Sequence, residues 1–285
     1  MKRKRGGAPD PAKLSLNTAT TRAQWGLAEA IEGCARHGIR GISPWRDQLA
    51  AMGVKKAARA IKAHDLAVTG LCRGGMFPAS TAAGRRKAIE DNLRAIDEAH
   101  ALGARCLVLV VGGLPKGSKD IASAREQVRD GIRAMLPHAK AADMPLAIEP
   151  LHPMYAADRA CINTMAQALD LCDALDPRKS GALGVVVDVY HVWWDPQLEA
   201  QIRRAGRKRL LAYHICDWLV PTTDLLFDRG MMGDGVIDLK LIRSWMEGAG
   251  YTGAHEVEIF SANNWWKRDP NGVLSTMKQR HQRYS

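Results

Sequence analysis

The sequence predicts an α/β fold, a single (β/α)8 TIM barrel, on three observations. Short apolar runs alternate with longer amphipathic ones eight times along the chain, the pattern of repeated βα units. The length, 285 residues, suits the roughly 250 that one such barrel needs. Four polar residues, Glu149, Asp188, His214 and Glu258, close four successive apolar runs (MPLAIE, GVVVD, RLLAYH and AHEVE), at strand ends that share one opening in a barrel. A doubly wound open sheet fits less well. No Gly-rich phosphate loop follows the first strand, and GGMFPAS after the third lacks a dinucleotide or P-loop pattern.

The expected strands are Leu14 to Thr20, Gly38 to Trp45, Leu66 to Arg73, Ala104 to Gly113, Met144 to Leu151, Ala182 to Val192, Leu210 to Trp218 and Ala254 to Ser261. Apolar residues at helical spacing (Trp25, Ala28, Ile31, Ala35) predict a helix over Arg22 to Arg36. Ile89, Leu93, Ile96 and Leu102 do the same over Arg85 to Leu102. Further helices are expected at Ser118 to Ala142, Asn163 to Leu175, Pro196 to Ala205, Asp238 to Gly248 and Pro270 to Arg283, with Asn163 and Asp238 as N-caps. No interdomain linker interrupts the series. Residues 1–12 read as a basic disordered tail and 13–285 as the barrel.

Composition narrows the class. No apolar run reaches the roughly 18 residues of a membrane span, and the first seven residues lack a signal-peptide core. The six cysteines form no CxxC and no paired framework, which fits reduced core residues of a cytoplasmic protein. The formal charge is +11, of which MKRKR alone carries four positive side chains. The remainder is spread over helix faces such as IRRAGRKR, the usual solvated pattern, although it also suits anionic partners.

A strand interior avoids carboxylates, because burying an unpaired one is expensive. Glu149, Asp188 and Glu258 therefore need partners. An Arg or Lys can serve any one of them, but a divalent cation serves all three together with His214. The donor set alone leaves Mn²⁺, Mg²⁺, Co²⁺ and Zn²⁺ open. Glu256 rivals Glu258 for the last position, since residues two apart face the same side of a strand. His191 and Asp217, each three residues beyond a ligand, read as supporting or substrate-binding groups or as loop residues. His152, in EPLHPMY, reads equally as an acid or base near the ion or as a loop histidine. The loop Leu219 to Ile237 is long enough for a lid. Within it, Arg229 and the GDG at 233–235 suit ligand oxygens and close backbone approach. Arg73 at the end of the third strand offers a second cation, or a structural ion pair. Six of the eight tryptophans (Trp45, Trp193, Trp194, Trp218, Trp265, Trp266) fall at or just after strand ends, where flat apolar faces suit sugar rings or an aglycone.

These residues resemble the xylose isomerase-like TIM barrel superfamily, the sugar isomerases and epimerases related to tagatose 3-epimerase and inosose dehydratase. The resemblance is carried by IEP at Glu149, DVYH from Asp188, HICD from His214, RGMMGDGVID from Arg229 and GYTGAHEVEIF around Glu258. It implies one Mn²⁺-like ion on Glu149, Asp188, His214 and Glu258, with His191 and Arg229 on the substrate. EPLHPMY, VYHVWWDP and the long loop after HICDW look closer to members acting on keto-sugars or glycosides, including C-glycoside deglycosidase catalytic subunits.

The expected function is a divalent-metal-dependent isomerase or epimerase working on a keto-sugar through an enediolate. Glu149 and Glu258 exchange the carbon-bound proton, and His191, Arg229, Arg73, Trp45 and Trp194 bind substrate. The alternative is a lyase, a dehydratase or C-glycoside deglycosidase, with His152 as base. An endonuclease IV-like nuclease would need further histidines on earlier strands, where Arg73, Gly112 and Gly113 stand, so nucleic acid is not the expected partner. A non-catalytic binding protein conflicts with an intact ligand set. The expected partner is a small sugar or glycoside, with a homo-oligomer or helper subunit left open. Without a phosphate cradle, the expected substrate is unphosphorylated.

Overall fold

The computed structural model describes residues 7–285, so the basic run MKRKR lies outside the described residues. Within the expected tail, Asp10 accepts from the Ala12 amide and caps a 3₁₀ turn at Pro11–Lys13.

The barrel strands are β1 (Leu14–Asn17), β2 (Gly41–Ser43), β3 (Ala67–Val68), β4 (Leu71–Gly75), β5 (Leu107–Val110), β6 (Leu146–Ile148), β7 (Leu183–Asp188) and β8 (Leu210–Ile215). Two short strands, β9 (Asp217–Trp218) and β10 (Arg229–Gly230), precede the last barrel strand, β11 (His255–Val257). The nine parallel strands run β3-β2-β1-β11-β8-β7-β6-β5-β4. The count exceeds eight because the third barrel strand is interrupted at Thr69 and Gly70, giving β3 and β4. Across the break the Thr69 amide donates to Ile42 O and the Cys72 amide to Pro44 O, which closes the ring.

The helices are α1 (Leu27–Arg36), α2 (Arg46–Met52), α3 (Val54–Ala63), α4 (Ala82–Leu102), α5 (Ile121–Ala141), α6 (Met165–Leu175), α7 (Val189–Val192), α8 (Leu198–Arg209), α9 (Leu239–Gly248) and α10 (Pro270–Tyr284). Asp238 caps α9 as expected, its Oδ1 accepting from the Leu241 amide. Asn163 does not cap α6. Thr164 does, while the Asn163 amide group donates to Leu151 O and Ala160 O and ties down the loop after β6. The expected strand over 182–192 ends early at Asp188, whose Oδ1 accepts from the Tyr190 amide and starts the turn of α7.

Most of the core lies between the strands and their helices. A second, smaller cluster of Cys72, Cys106, Val108, Ala147, Val186 and Ala212 fills the lumen. The lumen also holds polar residues from the first strands, with Ser15 Oγ 2.8 Å from Thr69 Oγ1. No described helix is long and apolar enough to cross a membrane. All six cysteines are buried and unpaired.

At the end of β4 the chain makes a sharp turn fixed by one side chain. Buried Asn92 of α4 accepts from the Gly75 amide at 2.6 Å and donates to Gly75 O at 2.7 Å. Gly75 has φ +107, and a Cβ there would stand 1.9 Å from Val110 O. Gly75→Ala is therefore expected to destabilise the protein by about 2–4 kcal/mol, from a strained φ plus a backbone clash. Urea unfolding monitored by tryptophan fluorescence measures this, and a midpoint equal to wild type would show that the turn relaxes.

Candidate metal centre and substrate cavity

The four strand-end residues meet. One ligand atom from each of Glu149, Asp188, His214 and Glu258 lies within 4.8 Å of the others, and all four residues are buried. They arrive from the ends of β6, β7, β8 and β11, on successive parallel strands in register: Asp188 pairs with His214, and His214 with Glu256. Glu258 lies just past β11, and its amide donates to Ile215 O.

Glu256 takes a different place from the one expected for a rival ligand. Its Oε2 is 3.2 Å from His214 Nε2, whereas His214 Nδ1 faces Glu149 Oε1 at 3.1 Å and Glu258 Oε2 at 3.8 Å. The two carboxylate layers thus address opposite nitrogens of one ring. Burial opposes ionised Glu256, but the His214 charge and hydrogen bonds involving Thr69 and Ser43 outweigh it and hold the carboxyl below its usual range. A carboxylate behind a histidine fixes its tautomer and frees the other nitrogen for a cation.

The donor set fits a divalent ion. Glu149 Oε1 and His214 Nδ1 are buried without a hydrogen-bond partner, despite their short separation. Such atoms are rare and costly in folded proteins. Three buried carboxylates also exceed the positive charge beside them. Burial lifts Asp188 to about 6, even though Arg229 pulls it down. Burial likewise raises Glu258 against the pull of His214 and Arg229. His214 is raised well above an ordinary histidine because Glu256, Glu149 and Glu258 overcome its desolvation. A proton taken up by the cluster would compete with a divalent cation for the same atoms.

Arg229 and His191 complete the floor of the site. Arg229 Nη1 donates to Asp188 Oδ2 at 3.1 Å and Glu258 Oε2 at 3.0 Å, and its guanidinium lies 4.3 Å from the Tyr190 ring centroid. His191 Nδ1 accepts from the His152 amide at 3.2 Å. Burial, reinforced by Arg229, pushes His191 well below the usual range, which favours the neutral ring. Nε2 stands 3.1 Å from Arg229 Nη2 and 3.6 Å from Asp188 Oδ2. Each ring nitrogen thus faces an N–H donor, and the guanidinium beside it suits an electron-rich oxygen.

The loop 219–237 is held in place rather than free. Tyr155 and Tyr190 hydroxyls both donate to Leu225 O. Asp217 accepts from the Gly233 and Ile237 amides, so it organises the loop instead of touching substrate. Asp234 accepts from Trp265 Nε1 and pairs with Arg280. The close approach expected of the GDG turn is to the protein itself, since a Cβ on Gly235 would meet Trp218 O at 2.0 Å.

Above the cluster is a cavity of about 430 Å³. Of the expected substrate residues, Trp45, Arg73, His191 and Arg229 line it, as do Glu149 and Glu258. His152 and Trp194 do not. The His152 ring stacks on Trp218 at 5.3 Å and meets Trp194 edge-on at 5.6 Å, and Trp194 Nε1 donates to His191 O. Sequence reasoning missed Arg22 and Arg159, which carry no motif, passed over Tyr155, Phe227 and Phe260 within EPLHPMY, the 219–237 loop and GYTGAHEVEIF, and singled out Trp266 only as one of several tryptophans.

Residues 31–277 match the family described as Xylose isomerase-like TIM barrel. An inosose isomerase of Bacillus velezensis is 23% identical over 278 residues, spanning 94% of this chain and 95% of that protein. The crystal structure of protein SMc04130 from Sinorhizobium meliloti 1021 is 62% identical, covers 96% of this chain and 99% of its own, and superposes with a TM-score of 0.94. The IOLI protein with a bound zinc atom shares the fold at 20% identity, with coverage of 96% and 99% and a TM-score of 0.81. With its barrel, its strand-end cluster and a match over most of its length, this chain belongs to the xylose isomerase-like TIM barrel family.

Proposed function

We propose that the protein is a divalent-metal-dependent isomerase or epimerase acting on a keto-sugar through an enediolate. The carrying observation is a pair of carboxylates, Glu149 and Glu258, that line one cavity beside the hydrogen-bond donors His191 and Arg229. The inosose isomerase and the zinc-binding IOLI protein support the sugar class and the ion. Glu149, Asp188, His214 and Glu258 would hold the ion, with Mn²⁺ preferred. When bound, it supplies Lewis-acid polarisation of a carbonyl and its neighbouring hydroxyl.

The residues themselves divide the remaining work. One of Glu149 and Glu258 takes the proton from the carbon beside the carbonyl, and the C–H electron pair moves into the enediolate. The other returns a proton to carbon. Burial raises Glu258 towards the range in which a carboxylate serves as a base near neutral pH. His191 and Arg229 donate to the oxygens on which charge develops. Trp45, Phe260 and Trp266 present flat apolar faces to the ring carbons.

The same first step supports elimination as a second reading, favoured by the aromatic wall of Trp45, Phe227, Phe260 and Trp266, which suits an aglycone. Because His152 does not line the cavity, its Ala variant is expected to lose little activity in either reaction. Proton NMR in D₂O with Mn²⁺-loaded or Mg²⁺-loaded protein separates the two over a panel of ketoses, inososes and 3-keto-glycosides. Exchange with a new epimer or aldose supports isomerisation; exchange with a freed aglycone or water supports elimination. Glu258→Gln is expected to lower exchange by at least about 10²-fold, the typical contribution of a positioned base. Near-full activity in that variant would refute the role.

Two metal predictions follow from the layered carboxylates and from the proton on Asp188. Glu256→Gln is expected to weaken the ion by about 10- to 100-fold without abolishing it, as for other supports of a metal-bound histidine. Titration calorimetry measures this, and complete loss would make Glu256 a ligand. Asp188 must be ionised to ligate, and its folded-state value is about 6. Protons therefore compete with the ion below that value and not above it. The rise in Tm on adding Mn²⁺ to chelator-treated protein should be full at neutral pH and shrink as pH falls through about 6. A constant rise across that range would place the ion elsewhere.

A further inference from the structure

The candidate ligands occupy one half of the barrel mouth, at the ends of β6, β7, β8 and β11. The other half is lined by Arg22, Trp45, Arg73 and Val110, and Arg159 joins the same cavity from the loop after β6. Four arginines thus face one cavity, and they differ in what neutralises them. Arg229 is bound to Asp188 and Glu258. Arg22 is paired with Asp47. The neighbouring carboxylate Asp91 is taken by Arg46 at 2.8 Å.

Arg73 is different. It is half-buried, and among the described residues it makes no hydrogen bond or ion pair with any carboxylate. Among the described residues Arg159 has only Asp158 as a carboxylate partner, at a long 3.9 Å with side chains 42% and 66% exposed, and such a pair contributes little. Burial and the like charge of Arg159 both push the Arg73 guanidinium below its usual range. Two guanidinium groups that repel each other in a half-closed cavity are unfavourable unless something else occupies that wall.

Charge balance points the same way. The dication of the proposed function and Arg229 together cancel Glu149, Asp188 and Glu258. Glu256 lies behind His214 and does not line this cavity. Once the ion is bound, Arg73 and Arg159 therefore stand as uncompensated positive charge on the cavity wall.

We propose that Arg73 and Arg159 form an anion subsite, and that the substrate is a keto-sugar carrying a carboxylate or phosphate group. The inference rests on the isomerase reading for the word keto-sugar, but the subsite itself is independent of it. Guanidinium forks pair with either anion in bidentate fashion. Lacking a Gly-rich loop, the site reads the anion with side chains alone, which explains why no sequence motif announces it.

The test has two arms. In the first, inorganic phosphate and D-gluconate are titrated by calorimetry into full-length Mg²⁺-loaded protein, and the arginine variants separate binding at the subsite from binding at the ion. Saturable binding is expected, weakened at least about tenfold by Arg73→Gln and by Arg159→Gln, with Arg73→Lys intermediate because it keeps the charge and loses the fork. Arg159 is exposed enough that its variant reports even if the Arg73 variants fold poorly. No binding to wild type, or equal binding to the Arg159→Gln and Arg73→Gln proteins, overturns the subsite. In the second arm, solvent deuterium exchange is followed on metal-loaded protein with D-fructose, D-fructuronate and D-fructose 6-phosphate. A KM for the acid or the phosphate at least about tenfold below that of D-fructose, abolished by Arg159→Gln with little change in kcat, supports the proposal and says which anion is read. Equal KM for all three overturns it and leaves the isomerase intact. Anion binding lost in both variants, with no exchange on any sugar, keeps the subsite and removes the isomerase.

Discussion

Three carboxylates buried around one imidazole set the terms for everything else at the barrel mouth. Removing one such charge from water is costly, and three within 4.8 Å of one another also repel. The chain answers in layers. Glu256 secures the far nitrogen of His214, and the hydroxyls of Ser43 and Thr69 secure Glu256. Arg229 spans Asp188 and Glu258, with its own face covered by Tyr190 and Phe260. What remains unmet is electrostatic, and it is of the size and sign that one divalent cation removes.

Arg229 could not reach the cluster unless its loop were fixed. The loop is tied at three places: Asp217 holds the GDG turn, Asp234 bridges to Trp265 and Arg280, and two tyrosine hydroxyls hold Leu225. Phe227 and Leu226 are thereby laid along the cavity wall. A segment that length alone would mark as a lid is here a built wall, because its polar groups find fixed partners within the fold.

The barrel and its strand-end cluster were legible because period and position both leave marks in a sequence. An apolar run that ends on Glu, Asp or His is unusual once and telling four times over. Glu256 was visible as a same-face neighbour of Glu258, but its role was not. Which layer binds depends on the direction of the His214 ring, and strand alternation does not encode that. The break of the third strand at Thr69–Gly70 and the helices α2 and α3 left only weak periodicity. Trp194 and His152 looked like site residues by proximity in sequence, yet they pack on each other behind His191. Arg22 and Arg159 were invisible for the opposite reason: they come from irregular loops and acquire meaning only when the barrel brings distant loops to one mouth.

The hydrogen bond from the His152 amide to His191 has a consequence for proton traffic. With an N–H donor facing each ring nitrogen, His191 has no free lone pair to receive a proton. His214 has one nitrogen towards Glu256 and the other towards the ligand cluster. Neither histidine at the cavity floor is free to shuttle protons, although histidine is the residue most often suited to that task. In the proposed reaction the carboxylates of Glu149 and Glu258 would therefore carry the protons, with the imidazoles as fixed poles beside them.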